Sequence, residues 1–295
     1  MRRVLSEWPT LALLAICYAA WGVGTTAAAA LWLPLGIAVT TLAIALFASL
    51  QHEMIHGHPF KNAAANAALV FPGLTLFIPY GRFRDTHLDH HQDARLTDPY
   101  DDPETNYLDP AVWHRLPRAV RAVLRFNNTL LGRLTVGTAV SLVTVAVADL
   151  RAARTGDARV LRGWLWHIPA LVPVIAWLAT AAQMPLWAYI LSAYAGLSLI
   201  KIRTFLEHQA HDRASGRTVI IEDRGPLAWL FLNNNLHVVH HMHPRVAWYR
   251  LPRLYADNKE RFLERNGGYV YRSYAEIFRR YLFRRKDPVP HPFWP

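Results

Sequence analysis

The sequence predicts an all-α integral membrane protein, with about four transmembrane helices under a cytosolic helical cap that carries three histidine clusters. Two observations carry that expectation. No Asp, Glu, Lys or Arg occurs across residues 8–51, nor across residues 163–200, and a hydrocarbon core takes about 20 residues per helical crossing. Each run therefore fits a helical hairpin, about 9–51 and 163–201. Pro34 and Gly36 mark the first turn, and Ala181-Ala182-Gln183-Met184-Pro185 marks the second, since proline and glycine interrupt a helix where the chain reverses.

The basic residues set the orientation. Lys and Arg are confined to the N-terminus (Arg2, Arg3), the middle segment and the C-terminal tail. By the positive-inside rule all three face the cytoplasm, which agrees with an even number of crossings. The cap is then residues 52–162 and 202–295, and the whole of 1–295 reads as one integrated domain. Both termini are expected to be cytoplasmic. A signal peptide does not fit, because its apolar region spans about 7–15 residues and this one is far longer. The net charge of +11 is assigned to anionic lipid rather than to nucleic acid, since no nucleic-acid-binding motif accompanies it. The single cysteine, Cys17, excludes a disulfide framework and any Cys-based zinc or iron–sulfur site within this chain.

Three other stretches are less regular. Residues 62–80 are apolar but broken by Pro72, Gly73 and Pro79. They are expected to be re-entrant or interfacial, because a clean crossing would separate the first two histidine clusters. Residues 134–150 are expected to lie in or dip into the interface for the same reason. In the tail, residues 252–265 read as a helix stopped by Gly267-Gly268, and Ser273-Tyr274-Ala275-Glu276 as a capping box. The helix that follows repeats Tyr274, Phe278 and Leu282 among arginines, which suits either the membrane surface or packing on the core.

The chemistry lies in the histidines. His52 and His56 form H-E-M-I-H, His87, His90 and His91 form H-L-D-H-H, and His237, His240 and His241 form H-V-V-H-H. Side chains three and four positions apart share a helix face, so each cluster is expected to aim two or three ring nitrogens at one point. Eight imidazoles exceed the four ligands of a closed zinc site and imply two metals. Imidazole suits zinc, copper, iron and nickel. Of these iron is the expected one, because two histidine-bound irons with open positions activate dioxygen. His208, in L-E-H just after the last crossing, is a ninth candidate, with His211 weaker. Glu53, Asp89 and Glu207 are candidates for orienting the imidazoles through their second ring N–H. Asn233, four residues before His237, could face the centre or simply cap a helix. The acidic stretch containing Asp98, Asp101, Asp102 and Glu104 reads as a loop with no assigned role. A histidine-rich metal transporter would place ligands inside the crossings, where only His167 sits.

In order and spacing the three boxes resemble those of the membrane-bound fatty acid desaturase superfamily, which also includes alkane and fatty-acid hydroxylases and carotenoid ketolases and hydroxylases. The run N-N-N-L-H-V-V-H-H-M-H-P followed by W-Y-R-L-P is most similar to the bacterial fatty acid desaturases. The resemblance implies a di-iron centre, dioxygen as co-substrate and a lipid acyl substrate. It also implies that L-E-H supplies an extra ligand. The H-P-G-G haem motif of fused cytochrome b5 domains is absent from the sequence, so electrons are expected from a separate ferredoxin, rubredoxin or cytochrome b5 type donor. Acyl-lipid desaturation is the expected reaction, with hydroxylation or carotenoid ketolation as the alternative.

Overall fold

The computed structural model describes residues 7–294; Arg2 and Arg3 lie outside them. The chain forms two compact units, one from Met1–Asp85 and Ser141–Ile200, the other from Thr86–Val140 and Lys201–Pro295. Among the described residues it is mainly helical, with a two-residue parallel pairing of β1 (Ile220–Ile221) with β2 (Val270–Tyr271). Among the described residues four helices are long and apolar enough to cross a membrane: α1 (Trp8–Leu31), α2 (Leu33–Ile55), α7 (Leu130–Arg154) and α8 (Ala158–Thr180). The protein is an all-α integral membrane protein.

In the first unit, α1 and α2 pack closely because glycine removes side chains where they meet. A Cβ on Gly24 would lie 2.6 Å from Thr40 Oγ1, and one on Gly36 would lie 2.6 Å from Ala29 Cα. The second hairpin is α8 and α9 (Leu186–Thr204). The backbone N–H groups of Gln183 and Met184 donate to Thr25 O at 2.9 and 3.1 Å, and Trp177 Nε1 donates to Thr25 Oγ1 at 2.9 Å. Both hairpin turns therefore lie at one end of the bundle. The other end holds the Glu7–His58 pair at 3.5 Å and a buried Arg82–Asp149 pair at 2.8 Å. Leu31, Leu165, Ile168 and Val172 are exposed, as a helix surface facing lipid requires.

Residues 62–80 enter this bundle and return. The short helix α3 (Ala63–Leu69) is capped by Asn62, and Asn66 Nδ2 donates to Met54 O near the end of α2. Deeper in, Gly73 N–H donates to Ala170 O and Tyr189 Oη donates to Leu74 O. His167 Nε2 donates to Leu76 O at 2.8 Å on the way out, so this histidine is a satisfied core residue. Non-helical backbone at this depth is tolerable because protein, not lipid, satisfies its polar groups.

The membership of the long apolar helices differs in one respect from the charge-free runs. Leu130–Arg154 qualifies as a candidate span, whereas Leu186–Thr204 does not and carries Lys201 and Arg203 in its last turn. The run in α7 was hidden by Arg133 and Asp149 near its ends, both of them buried. Its C-terminal end is tied by Asp149 to Arg82 and to Trp164 Nε1, away from the hairpin turns.

The second unit is built from short helices and loops around Ile220, Leu236, Val238, Val239, Leu251, Tyr255 and Phe262. It receives the C-terminal half of α4 (Tyr80–His90), then α5 (Pro110–Arg115), α6 (Arg118–Asn127), α10 (Pro226–Leu230) and α11 (His237–Met242). The stretch expected as one helix over 252–265 is two, α12 (Leu251–Asp257) and α13 (Lys259–Arg265). It stops as expected at Gly267 and Gly268, both in the left-handed region at φ 64° and 75°. Ser273 caps the last helix, α14 (Tyr274–Tyr281), whose Tyr274, Ile277 and Tyr281 are buried. The apolar face of α14 therefore packs on protein, the second of its two expected placements.

Candidate metal centre

Helix α4 carries His87 and His90 in its last turn, with His91 following directly. Helix α11 carries His237, His240 and His241, all buried. It starts after a tight turn in which Leu232 and Asn233 adopt left-handed φ of 52° and 57°. His208 sits in extended backbone bridged to Thr218, and Lys286 Nζ donates to its carbonyl.

Within this unit the ring nitrogens converge as two groups. In one, His90 Nε2 and His237 Nε2 lie 2.9 and 3.2 Å from His208 Nε2, and His241 joins them, with every ligand atom within 4.8 Å of the others. In the other, His91 Nε2 lies 3.0 Å from His87 Nε2 and 3.1 Å from His240 Nε2. Each H-x-x-H-H box thus aims two of its ring nitrogens at one group and the third at the other. Successive helical residues are about 100° apart, so adjacent histidines diverge while those at i and i+4 stay together. In the first unit, the rings of His52 and His56 lie 4.8 Å apart.

The second ring nitrogens explain the inward aim. His90 Nδ1 lies 2.8 Å from Asp102 Oδ1, His87 Nδ1 lies 3.0 Å from Glu104 Oε1, and His237 Nδ1 lies 3.0 Å from Asn234 Oδ1. Each acceptor holds the proton on Nδ1 and leaves the Nε2 lone pair pointing inward. Burial, reinforced by neighbouring histidines, holds His208 and His237 well below the usual imidazole range. Burial also lowers His87, against the pull of Glu104. Burial acts the same way on His90, but Glu104 and Asp102 outweigh it and raise that ring to about 9. A cation replaces such a proton when it binds, because only neutral imidazole ligates.

The donor set fits metal ions. Nitrogen lone pairs that face one another about 3 Å apart in a buried site need a proton or a metal cation between them, and a metal ion can satisfy several of them at once. Ligands about 2.0–2.1 Å from one ion fall at about that mutual spacing. The all-nitrogen donors, backed by carboxylates and free of thiolate, suit an imidazole-binding transition metal.

Of the residues expected to orient the imidazoles, Glu207 is buried, 3.0 Å from Arg203 Nε and 3.6 Å from His237 Nδ1. Glu53 is buried with its carboxylate 3.9 Å from His52 Nδ1. Asp89 is exposed and turned away. Asn233 donates instead to Trp248 O at 3.1 Å, because its left-handed backbone carries it off the face that Asn234 occupies. His211 is engaged locally by Arg213 N–H at 3.0 Å. Sequence reasoning missed Asp102, Glu104 and Asn234. Asp102 also accepts from Thr97 N–H and Glu104 N–H, each at 2.9 Å, so it organises the acidic loop that delivers both carboxylates. The available signal was that carboxylates interleaved with Pro99 and Pro103 follow closely on a histidine box.

The family model described as fatty acid desaturase matches residues 27–273. The chain is 25% identical over 229 residues to a beta-carotene ketolase of Paracoccus sp. (strain N81106 / MBIC 01143), covering 73% of this chain and 76% of that protein. It is 24% identical over 228 residues to the beta-carotene ketolase of Paracoccus sp. (strain PC1), covering 73% and 75%.

Proposed function

The chain belongs to the fatty acid desaturase family, whose members are di-iron oxidoreductases, and on that premise we propose that it is a dioxygen-dependent acyl-lipid desaturase. The observation that carries this reading is the pair of buried histidine groups, each backed by a carboxylate on the far ring nitrogen. His90, His208, His237 and His241 would hold one iron, and His87, His91 and His240 the other. On motif grounds alone, His52 and His56 complete the set. Bound iron supplies the capacity to reduce dioxygen and remove hydrogen from an unactivated methylene.

The chain's own residues supply orientation and dryness. Asp102, Glu104 and Asn234 fix the tautomers of His90, His87 and His237, and Glu207 adds negative charge behind His237. Burial of these rings keeps water from competing for the inward lone pairs. Desaturation converts –CH2–CH2– to –CH=CH– and consumes one dioxygen, two electrons and two protons, releasing two waters. The electrons come from a separate ferredoxin, rubredoxin or cytochrome b5 type donor. The site is placed at the cytoplasmic face of a bacterial inner membrane, where the positive-inside rule puts the basic segments.

The names of the two ketolase relatives support a second reading, in which a carotenoid ring methylene becomes a ketone. That conversion consumes two dioxygens, four electrons and four protons and releases three waters. Expression in a host that makes both phospholipid and β-carotene, with mass spectrometry of total lipids, separates the two. Acyl chains lacking two hydrogens support the desaturase. Carotenoid in which oxygen replaces two hydrogens supports the ketolase, and neither product overturns both.

A further inference from the structure

Helix α6 has two segregated faces. Arg118, Arg121 and Arg125 lie along one side, while Ala119, Val120, Val123 and Phe126 lie on the opposite side. In a helix packed on its own protein the apolar side is the buried one. Here the apolar side is open as well: Val120, Val123 and Phe126 are exposed by 40, 46 and 40%, alongside exposed Arg118 and Arg125 and half-buried Arg121. The Arg125 guanidinium lies 5.3 Å above the ring of buried Trp113, which anchors that arginine while the apolar row stays open.

The chain then passes directly into α7, one of the four helices of membrane-spanning length and composition. The junction is stiff. Thr129 Oγ1 caps α7 by accepting from Gly132 N–H at 3.0 Å, and Arg133 Nε donates to Asn127 O at 3.0 Å. Any Cβ on Gly132 would collide with Phe126 O. The exposed row of α6 is thus held within one turn of a helix that meets hydrocarbon.

A second segment joins it. After α14 the chain carries exposed Arg284 and Arg285 beside Phe283, which is 78% exposed, with exposed Arg279 and Arg280 one turn earlier. This run is tied to the junction by Leu131 N–H to Leu282 O and Lys286 N–H to Asn128 O, both at 3.0 Å. No acidic residue occurs across residues 115–131, and between Glu276 and Asp287 four arginines and one lysine stand without one.

We propose that α6 and the segment after α14 form one binding surface for anionic phospholipid of the bilayer. Val120, Val123, Phe126 and Phe283 sink below the phosphates, and the surrounding guanidiniums hold the headgroups. Guanidinium binds phosphate in a bidentate fork, and an apolar row among arginines is the pattern of a helix lying in the interface. A soluble acidic protein would engage the arginines, but adjacency to α7 places the apolar row at lipid. The surface is independent of the reaction proposed above.

The test uses the full-length protein in nanodiscs, with Cys17 replaced by Ala and an environment-sensitive fluorophore on Val123→Cys or, as a water-exposed reference, on Arg253→Cys. At Val123 we expect blue-shifted emission and quenching by lipid carrying a shallow spin label, with neither at Arg253. Native mass spectrometry of the parent should find phosphatidylglycerol retained over phosphatidylcholine by about five-fold or more, falling towards parity in Arg279→Gln/Arg280→Gln/Arg284→Gln/Arg285→Gln. A water-like, unquenched spectrum at Val123 assigns the surface to a soluble partner and overturns the proposal. So does equal retention of the two lipids by the parent. Neither readout depends on turnover.

Discussion

The two compact units place polarity on opposite sides. In the unit of long helices the outward face is apolar, and internal polar groups are spent on neighbouring backbone, as when Tyr18 Oη donates to Leu69 O or Tyr189 Oη to Leu74 O. In the histidine unit the polar groups form the interior itself, where seven imidazoles share space with Asp102, Glu207 and Asn234. An interior of the first kind tolerates loss of one hydrogen bond at about 1 kcal/mol. One of the second kind gathers ring nitrogens about 3 Å apart in two groups that could each hold a metal ion.

The sharpest way to break that contrast is to remove a ring from each histidine group. His90→Ala or His240→Ala should abolish product formation and remove most bound iron while membrane insertion stays at the parental level. The checks are iron per chain by mass spectrometry and extraction resistance of the membranes. Parental iron and product in both variants would end the ligand assignment. Next in size come the orienting carboxylates, for which losses of about 10–100-fold in metal affinity or activity are usual. Asp102→Asn should lie near the upper end, because Asp102 is 3% exposed and also holds Thr97 and Glu104. Glu104→Gln should lie near the lower end, since its side chain is 27% exposed and water can replace it. Competition for iron against a chelator of known affinity orders the two.

The same contrast governs what could be read before the structure. Residues 8–51 and 163–200 read as two hairpins because lipid tolerates almost no charge; the structure joins α1 to α2 and α8 to α9, and of these four helices α9 falls short of a candidate span. The nitrogens of His87 and His91, and of His237 and His241, were legible as i, i+4 pairs. The division of adjacent His90 from His91 was not weighed, although helix rotation alone separates neighbours. Asp102 and Glu104 escaped because their role depends on how a loop of irregular backbone folds back, and no periodicity encodes that. Helix α6 escaped because an apolar row only ten residues long reads as core until its exposure is known. Charges near both ends concealed α7: Arg133 is buried against Asn127 O and Asp149 against Arg82, so neither cost the helix its apolar character.

Two ion pairs, one in each unit, reduce the comparison to single side chains. Arg82 and Asp149 have side chains only 13% and 6% exposed, and Asp149 also accepts from Trp164 Nε1 at 2.9 Å. Removing Asp149 takes from largely buried Arg82 its 2.8 Å carboxylate and leaves Asp85 at 3.9 Å as a weaker substitute. Asp149→Ala should therefore destabilise by about 3 kcal/mol, read as a lower Tm in detergent, with iron per folded chain unchanged. The counterpart is Glu222, whose side chain is 28% exposed and bonded to Lys259 Nζ at 2.5 Å and Tyr255 Oη at 2.6 Å. Lys259, then Tyr255, hold its carboxyl below the ordinary value of 4.5. A depressed folded-state value means that the stabilisation is present above pH 4.5 and lost as pH falls through that lower value. Glu222→Gln should cost no more than about 1 kcal/mol at neutral pH, because water already screens the pair. Its Tm deficit should close as the pH is lowered below the ordinary carboxylate value. A deficit as large as that of Asp149→Ala, or one that persists in acid, would show that exposure does not set the strength of these pairs and would remove the physical basis for ranking Asp102 above Glu104.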